Sequence, residues 1–221
     1  MIWTNPSILR NVFPWILWKG PSNSMDVFLT FDDGPHPEYT LKVLDRLKTE
    51  KVTGTFFLNG ARVLLHPGIA ERIQAEGHSI GNHGHSHCRL DWRKADRVHF
   101  EIENADRAIE KAVGRRPVFF RPPYGRFDPR FRRWMRESGH RMVMWSLLAG
   151  DFLELETGAL QERVWKRIHP GAVVVLHDGH RNAPAMIRAL PGLLHRLKTA
   201  GFAFKPLDAL VVPDSRTGFQ T

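Results

Sequence analysis

The chain has 221 residues, of which 42% are hydrophobic and 25% are charged, so a disordered or fibrous protein is excluded and one globular domain is expected. Cys88 is its single cysteine, which excludes an internal disulfide framework and a zinc site built from cysteine pairs. The net charge of +9 favours anionic partners but carries no information about the fold.

The first 25 residues are expected to form an apolar arm ahead of a domain at 26–221. Arg10 interrupts the apolar run and Pro14 breaks a helix, so a secretory signal peptide is not expected. No run approaches the ~20 apolar residues that a membrane-spanning helix needs. Residues 12–18 are predicted to pack on the domain, with a peripheral membrane contact as the alternative. The expected location is the cytoplasm, and an extracytoplasmic location stays open.

From residue 26 onward, short β-type segments alternate with segments of helical periodicity. The predicted strands are 27–31, 53–58, 78–82, 118–121, 141–146, 172–177 and 202–206. The predicted helices are 37–50, 67–76, 94–113, 129–138, 158–169 and 184–200. Proline near the first turn and glycine after the last turn of several helices support these boundaries.

This alternation predicts a single α/β domain with about seven parallel strands. Residues 173–176 are apolar on both faces, which is typical of a buried parallel strand. The sequence does not show the strand order, so an open sheet and a barrel both fit. Barrels draw site residues from many strand ends, and a barrel is therefore favoured by the polar residues that follow the predicted strands. These are Asp32, Asp33, His83, His87, Arg121, Asp151 and His177.

Two groups of polar residues indicate a metal site. Asp32 and Asp33 leave a buried strand together, which is costly unless a cation or hydrogen-bond donors compensate them; a simple turn is the alternative. His83 and His87 are four residues apart and would face one way on a helical turn. Together with Asp33 they predict one divalent ion with open positions for water. This donor set suits Zn²⁺, with Co²⁺ or Ni²⁺ as alternatives, better than Mg²⁺ or Ca²⁺.

Five short motifs occur in order, each after a predicted strand. They are TFDDGP at 30–35, His83 with His87, RPPYG at 121–125, Trp145 with Asp151 and Phe152, and VLH at 175–177. With these motifs the chain resembles the polysaccharide deacetylases, the NodB-homology or carbohydrate esterase family 4 enzymes, over about residues 26–206. The resemblance implies a distorted (β/α) barrel of about seven strands. It also implies metal-dependent removal of N-acetyl groups from amino sugars.

The resemblance further implies a role for each site residue. It assigns Asp33, His83 and His87 to the metal. It assigns Asp32 to the general base that takes a proton from water, and Arg121 is placed to keep that carboxylate ionised. A surface ion pair is the alternative for Arg121.

The remaining implied roles concern the leaving group and the oxyanion. His177 is the implied general acid that protonates the leaving amine, with a merely structural strand-end histidine as the alternative. The backbone N–H of Tyr124 is the implied oxyanion donor, on a loop stiffened by two prolines. Asp151 is expected to orient His177 or Arg121.

The sequence departs from the family pattern at three positions. Gly84 stands where the second motif usually has Ser or Thr, so a hydrogen bond that stabilises the loop is expected to be missing. Leu148 replaces a carboxylate of the fourth motif, which leaves Asp151 as the partner. Phe152 replaces Trp and keeps an aromatic wall for the acetyl methyl group. Two residues near the metal motif match no family ligand, His85 and Cys88.

The sequence therefore predicts a metal-dependent deacetylase of glycans of the N-acetylglucosamine type, such as chitin or peptidoglycan. Tyr124, Phe152 and Trp92 are the candidate sugar contacts, with a place in the core as the alternative. Removal of O-acetyl or N-formyl groups from a glycan or lipid-linked sugar would use the same machinery. A carbohydrate-binding protein with a silent site is the non-enzymatic alternative. Nucleic acid is not expected as a partner because no recognised binding motif accompanies the charge, and the oligomeric state is not predicted.

Overall fold

The computed structural model describes residues 6–153 and 156–211. The strands are β1 Asp26–Asp32, β2 Thr55–Leu58, β3 Ser79–Asn82, β4 Phe119–Phe120, β5 Arg141–Met142, β6 Leu147–Leu148, β7 Val173–His177 and β8 Ala203–Phe204. The helices are α1 Pro6–Val12, α2 Tyr39–Thr49, α3 Gly60–Leu65, α4 Pro67–Ala75, α5 Ala95–Val113, α6 Phe131–Ser138, α7 Thr157–Trp165 and α8 Ala183–Thr199. Single 3-10 turns occur at Pro123–Gly125 and Leu207–Leu210.

The described strands form one sheet in the order β5-β4-β3-β2-β1-β7-β6, with β8 paired to the start of β1, and the pairings are parallel. The sheet is strongly curled. Its two edge strands, β5 and β6, are separated by only residues 143–146 in the chain. That segment spans at most about 18 Å, whereas the edges of a flat seven-stranded sheet would lie about 29 Å apart. The predicted distorted (β/α) barrel with about seven parallel strands is confirmed.

The prediction of a single strand at 141–146 is wrong. β5 pairs with β4, and β6 pairs with β7 on the opposite edge of the sheet, so the chain changes partners between them. Leu17 fills this seam, because its N–H donates to Met142 O at 2.9 Å and its carbonyl accepts from Met144 N–H at 2.9 Å. A run of β-forming residues cannot show in sequence where its hydrogen-bonding partner changes.

The N-terminal segment packs on the domain through its last residues. Ile16, Leu17 and Trp18 are buried, and Ile16 and Trp18 share an apolar cluster with α6. The boundary at residue 25 and a membrane contact through residues 12–18 stay predictions. The residues outside the described part are 1–5, 154–155 and 212–221. Within that part, no helix has both the length and the apolar character needed to cross a bilayer. The cytoplasmic location stays a prediction.

Apolar side chains fill the space on both sides of the sheet. Phe28, Phe57, Phe119 and Val173 belong to a buried cluster to which Leu17 also contributes. A larger cluster packs the other face of the strands against α2, α4, α7 and α8. Each fully buried large side chain contributes roughly 1.5–3 kcal/mol. This packing gives the strand ends a rigid base from which polar side chains project.

Candidate active site

The ends of β1 and β7 place two polar side chains side by side. Asp32 and His177 are register partners on these neighbouring parallel strands. Register partners on adjacent strands point to the same face of a sheet, so the two side chains share one side. Asp32 is buried, and His177 is largely buried. Two groups that can exchange protons therefore meet at one end of the barrel.

Asp33, His83 and His87 converge beside this pair. One ligand atom from each lies within 4.8 Å of the others. Asp33 Oδ1 is 3.4 Å from His83 Nε2 and 2.8 Å from His87 Nε2. Burial alone would raise the pKa of Asp33, but its hydrogen bonds with the two imidazoles outweigh burial and hold that pKa well below its usual value. His85 and Cys88 do not belong to this group within the described residues.

His83 is oriented by its second ring nitrogen. His83 Nδ1 lies 2.8 Å from the carbonyl oxygen of Arg121, and a carbonyl can only accept a hydrogen bond. Nδ1 is therefore the donor in this contact, and Nε2 faces Asp33. An imidazole fixed by a hydrogen bond from its other nitrogen is typical of metal-binding histidines.

The two histidines lie on a loop, so the predicted helical turn is wrong. Gly84 has φ +77° and His87 has φ +55°, values that a right-handed helix does not contain. Glycine adopts this conformation at little cost, which accounts for Gly84 in place of the family's Ser or Thr. The Gly84 N–H donates to Asn82 Oδ1 at 2.7 Å.

Glu101 of α5 stabilises the same loop, and the sequence analysis missed it. Its carboxylate accepts hydrogen bonds from the His85 N–H at 3.0 Å and the Ser86 N–H at 2.7 Å. Ser86 Oγ donates to its other oxygen at 2.7 Å. Burial acts to raise the pKa of Glu101, but these donors and Arg97 lower it, so the carboxylate stays ionised. The stabilising interaction expected to be lost with Gly84 therefore comes from a helix.

Helix α3 was also missed, and it connects three loops of the site. The N–H groups of Gly60 and Ala61 donate to the carbonyls of Gly84 and His85, each at 3.0 Å. Arg62 Nη1 donates to Asp33 O at 2.9 Å and to Gly179 O at 3.1 Å. An N-cap signal was present in the sequence, because Asn59 follows a strand and its side chain accepts from the Arg62 N–H. The helix spans only six residues, too few for a periodic pattern.

Arg121 lies fully buried inside the barrel, which is not a surface position. Its Nη1 donates to Asp32 Oδ1 at 2.6 Å and to Thr30 Oγ1 at 2.8 Å. Nη2 donates to Met144 O at 3.0 Å, and the guanidinium stacks 4.1 Å from the centre of the Phe57 ring. These hydrogen bonds and the ring contact therefore offset the cost of burying the charges of Arg121 and Asp32.

Asp151 pairs with His177, and Asp32 is the carboxylate partner of Arg121. Asp151 Oδ1 lies 2.9 Å from His177 Nδ1, and Asp151 Oδ2 accepts from the His177 backbone N–H at 2.6 Å. Burial acts to lower the pKa of His177, but the Asp151 carboxylate outweighs it and raises that pKa to about 9. The Phe152 ring stands edge-on to His177, with 5.7 Å between ring centres.

Tyr124 and Trp92, the other predicted aromatic contacts, differ in position. The Tyr124 ring centre is 4.7 Å from that of His87, so this side chain borders the cluster directly. Its backbone has φ +61°, an uncommon conformation for tyrosine that is typical of functional loops. Trp92 also has a positive φ, and its indole is exposed rather than in contact with Asp33, His83 or His87 in the described chain.

Asp178 is a third site residue that the sequence analysis missed. It is fully buried, it follows His177 directly, and it accepts a hydrogen bond from Thr40 Oγ1. Its Oδ1 has no hydrogen-bond partner among the described residues. Burial raises the pKa of Asp178 to about 7, and the charge of Asp33 acts in the same direction. The signal was an Asp-Gly pair after a buried strand, the same pattern that singled out Asp33.

Comparison with known proteins gives consistent matches over most of the chain. The family model for polysaccharide deacetylase matches residues 19–143. A peptidoglycan-N-acetylglucosamine deacetylase of Bacillus cereus is 34% identical over 90% of this chain and 74% of its own length. A peptidoglycan-N-acetylmuramic acid deacetylase of Bacillus subtilis is 34% identical over 88% of this chain and 74% of its own length.

A solved structure agrees in fold as well as in sequence. It is a peptidoglycan N-acetylglucosamine deacetylase in complex with 4-naphthalen-1-yl-N-oxidanyl-benzamide. It matches with a TM-score of 0.85 and 34% identity, over 88% of this chain and 91% of its own. The curled parallel sheet, the five motifs and these matches lead to one assignment. The chain belongs to the polysaccharide deacetylases of carbohydrate esterase family 4, hydrolases that act on N-acetyl amide bonds.

Proposed function

We propose that this chain is a divalent-metal-dependent deacetylase that removes N-acetyl groups from amino sugars of a glycan of the peptidoglycan or chitin type. The convergence of Asp33, His83 and His87 is the observation that carries the proposal. Relatives named for deacetylation of peptidoglycan N-acetylglucosamine and N-acetylmuramic acid support the class of glycan.

The donor set of the cluster fits a zinc ion. Two ligands at 2.0–2.1 Å from a tetrahedral Zn²⁺ lie roughly 3.3 Å apart. The separation of 3.4 Å between Asp33 Oδ1 and His83 Nε2 is close to that value, and the 2.8 Å between Asp33 Oδ1 and His87 Nε2 is about 0.5 Å shorter. Two imidazoles and one carboxylate would leave a coordination position open, as catalytic zinc sites do. When bound, the ion would polarise the acetyl carbonyl and lower the pKa of water at the site.

Asp32 is proposed as the general base. Its Oδ1 receives the hydrogen bond from Arg121, and no described residue donates to its Oδ2. Oδ2 is therefore the atom available to take the proton of the attacking water. Arg121 holds the carboxylate in one orientation and balances its negative charge, which a buried base requires.

His177 is proposed as the general acid. Asp151 fixes the ring through Nδ1, so Nε2 is the atom that would pass a proton to the sugar nitrogen. The raised pKa of His177, about 9, keeps the imidazole protonated at neutral pH. We propose the Tyr124 backbone N–H as a donor to the oxyanion that develops on the acetyl carbonyl. Phe152 and Tyr124 would flank the acetyl group from two sides.

The pH profile tests the pairing of Asp151 with His177. The acid form exists below a pKa of about 9, so kcat/KM should fall as pH rises through that value. Asp151→Asn removes the charge that raises this pKa, and burial then lowers it. The alkaline limb should move down by at least about one pH unit, measured as acetate release at a series of pH values. Asp208→Asn, at a half-exposed carboxylate that pairs with Arg115, is the control. An alkaline limb that stays in place in Asp151→Asn would refute the pairing.

A screen of acyl release tests the activity itself. The zinc-reconstituted protein is incubated with N-acetyl, N-formyl and O-acetyl forms of the same oligosaccharides, and acetate and formate are measured directly. The proposal expects acetate from the N-acetyl forms. Release from the ester or formyl forms alone, or no release from any of them, would contradict it.

A further inference from the structure

Trp92 and Leu65 are the most exposed large hydrophobic residues of the described part of the chain, each at 73%, and Trp92 is the aromatic one. Its backbone adopts φ +61°, which a tryptophan adopts only at a cost. The Trp92 N–H donates to Asp128 Oδ2 at 2.8 Å, and Asp128 is buried. A strained backbone anchored to a buried carboxylate therefore holds the indole outward. An exposed indole held in place suits contact with a ligand rather than with the core.

Three arginines on this surface form a layer above two carboxylates: the Arg130 guanidinium lies 5.7 Å from the centre of the Trp92 ring, and Arg89 and Arg126 pair with Asp91, the residue before Trp92. The side chains of Arg89, Arg126 and Arg130 are 51%, 54% and 45% exposed. Their partners Asp91 and Asp128 are 6% and 0% exposed. The pKa values of both carboxyls lie below their usual range because the arginines donate to them, although burial acts in the opposite direction. Positive charge therefore faces solvent, and the compensating negative charge lies beneath it.

Arg126 is the cation of this layer with the most unused donors among the described residues. Arg89 takes both oxygens of Asp91 at 3.1 and 2.8 Å, and Arg130 takes both oxygens of Asp128 at 2.8 and 2.9 Å. Arg126 reaches Asp91 only through Nε, at 3.3 Å. Its two Nη nitrogens donate to no residue of the described chain. A half-exposed guanidinium with two free donors can bind a carboxylate in a bidentate manner.

Two loops connect this surface to the candidate active site. Tyr124, whose ring contacts His87, lies two residues before Arg126 in the chain. Arg126 joins its own loop to the Trp92 loop through Asp91. Trp92 in turn follows His87 by five residues. A glycan with one sugar at the metal cluster would therefore run past Tyr124 and toward Trp92.

We infer that Trp92 and Arg126 form an additional sugar subsite that selects glycans whose neighbouring sugar carries a carboxylate. The inference rests on the proposed function for the placement of the reacting sugar. The indole would stack on the apolar face of the neighbouring ring. The free Nη donors of Arg126 would bind its carboxylate. A neutral glycan would use the indole alone.

Binding of three matched tetrasaccharides tests the subsite by calorimetry. The first alternates N-acetylglucosamine with N-acetylmuramic acid and carries carboxylates. The second is the same compound with its carboxylates amidated, and the third is the neutral N-acetylglucosamine tetramer. All are titrated into the zinc-incubated Asp32→Asn protein, which is expected not to turn them over. The carboxylate form should bind about tenfold more tightly than the amidated form.

Two variants test the carboxylate contact and the stacking contact of the subsite separately. In this background Arg126→Gln should reduce the preference for the carboxylate form to less than about twofold, with the affinity for the amidated form unchanged. Trp92→Ala should weaken all three ligands by about threefold to tenfold. Arg107→Gln, at an exposed arginine of α5, removes one charge elsewhere. It should leave the preference for the carboxylate form and the affinities for all three ligands unchanged.

Equal affinity for the carboxylate and amidated forms, or a preference that persists in Arg126→Gln, would overturn the inference. Acetate release by the wild-type protein is measured in parallel. Release without a carboxylate preference would refute the subsite alone. A preference that depends on Arg126, without release of acetate, would support the subsite and refute the proposed function.

Discussion

Asp32→Asn is expected to lower kcat for deacetylation by about 10²–10⁴-fold, because the amide cannot accept the proton of the attacking water. The variant should be less stable because the buried Arg121 loses its counter-charge, but the fold should survive, since asparagine Oδ1 can still accept the hydrogen bond that Arg121 Nη1 makes with Asp32 Oδ1. Zinc content and glycan affinity should also be retained. Acetate release under saturating glycan measures kcat, a circular dichroism spectrum measures the fold, and zinc analysis and calorimetric titration of the glycan measure the two remaining quantities.

The control for Asp32→Asn is Asp96→Asn, an exposed carboxylate in the first turn of α5. It should leave kcat unchanged. If Asp32→Asn kept more than about a tenth of the wild-type kcat, proton transfer to this carboxylate would not be an essential step. A binding protein with a silent site would release no acetate even as the wild type.

Arg121→Met is expected to lower the free energy of unfolding by about 3–5 kcal/mol, because it leaves the buried carboxylate of Asp32 without its cation. Methionine fills part of the volume beside Phe57, so the loss reflects charge more than a cavity. Urea denaturation followed by fluorescence measures the effect. The midpoint should fall without a change in the slope if the fold is otherwise intact.

A double-mutant cycle separates charge from packing in this result. Combining Arg121→Met with Asp32→Asn removes both charges, so the double variant should be more stable than the sum of the single losses predicts. Arg107→Met, at an exposed pair with Glu103, should cost less than about 1 kcal/mol. Additive losses in the cycle would show that the two side chains are not coupled.

Much of the fold was predictable from local patterns. Apolar runs such as that of β7 and the long amphipathic helix α5 carry their periodicity within a single segment. Short elements carry no such pattern. β4, β5, β6 and β8 have two residues each, and their existence depends on neighbours far away in the chain. The change of partner between β5 and β6 follows from closure of the sheet, which no local pattern records.

The candidate site divides in the same way. Asp32, Asp33 and His177 were found because they are polar residues at the end of a buried strand. Burying such groups costs free energy, so their presence there indicates a function. Glu101 and Arg62 were not found, because their sequence context is that of ordinary helix surface residues. Their roles become visible only where the fold brings α5 and α3 against the histidine loop. Sequence patterns indicated the reacting groups, whereas the groups that position them required coordinates.

The account depends on one divalent ion held by Asp33, His83 and His87. X-ray absorption at the zinc edge of the zinc-incubated, desalted protein tests this most directly. We expect one zinc per chain, with two imidazole nitrogens at about 2.0–2.1 Å and oxygen ligands completing the coordination. A spectrum with the same zinc content but no imidazole scattering, or a sample without stoichiometric zinc, would contradict the account.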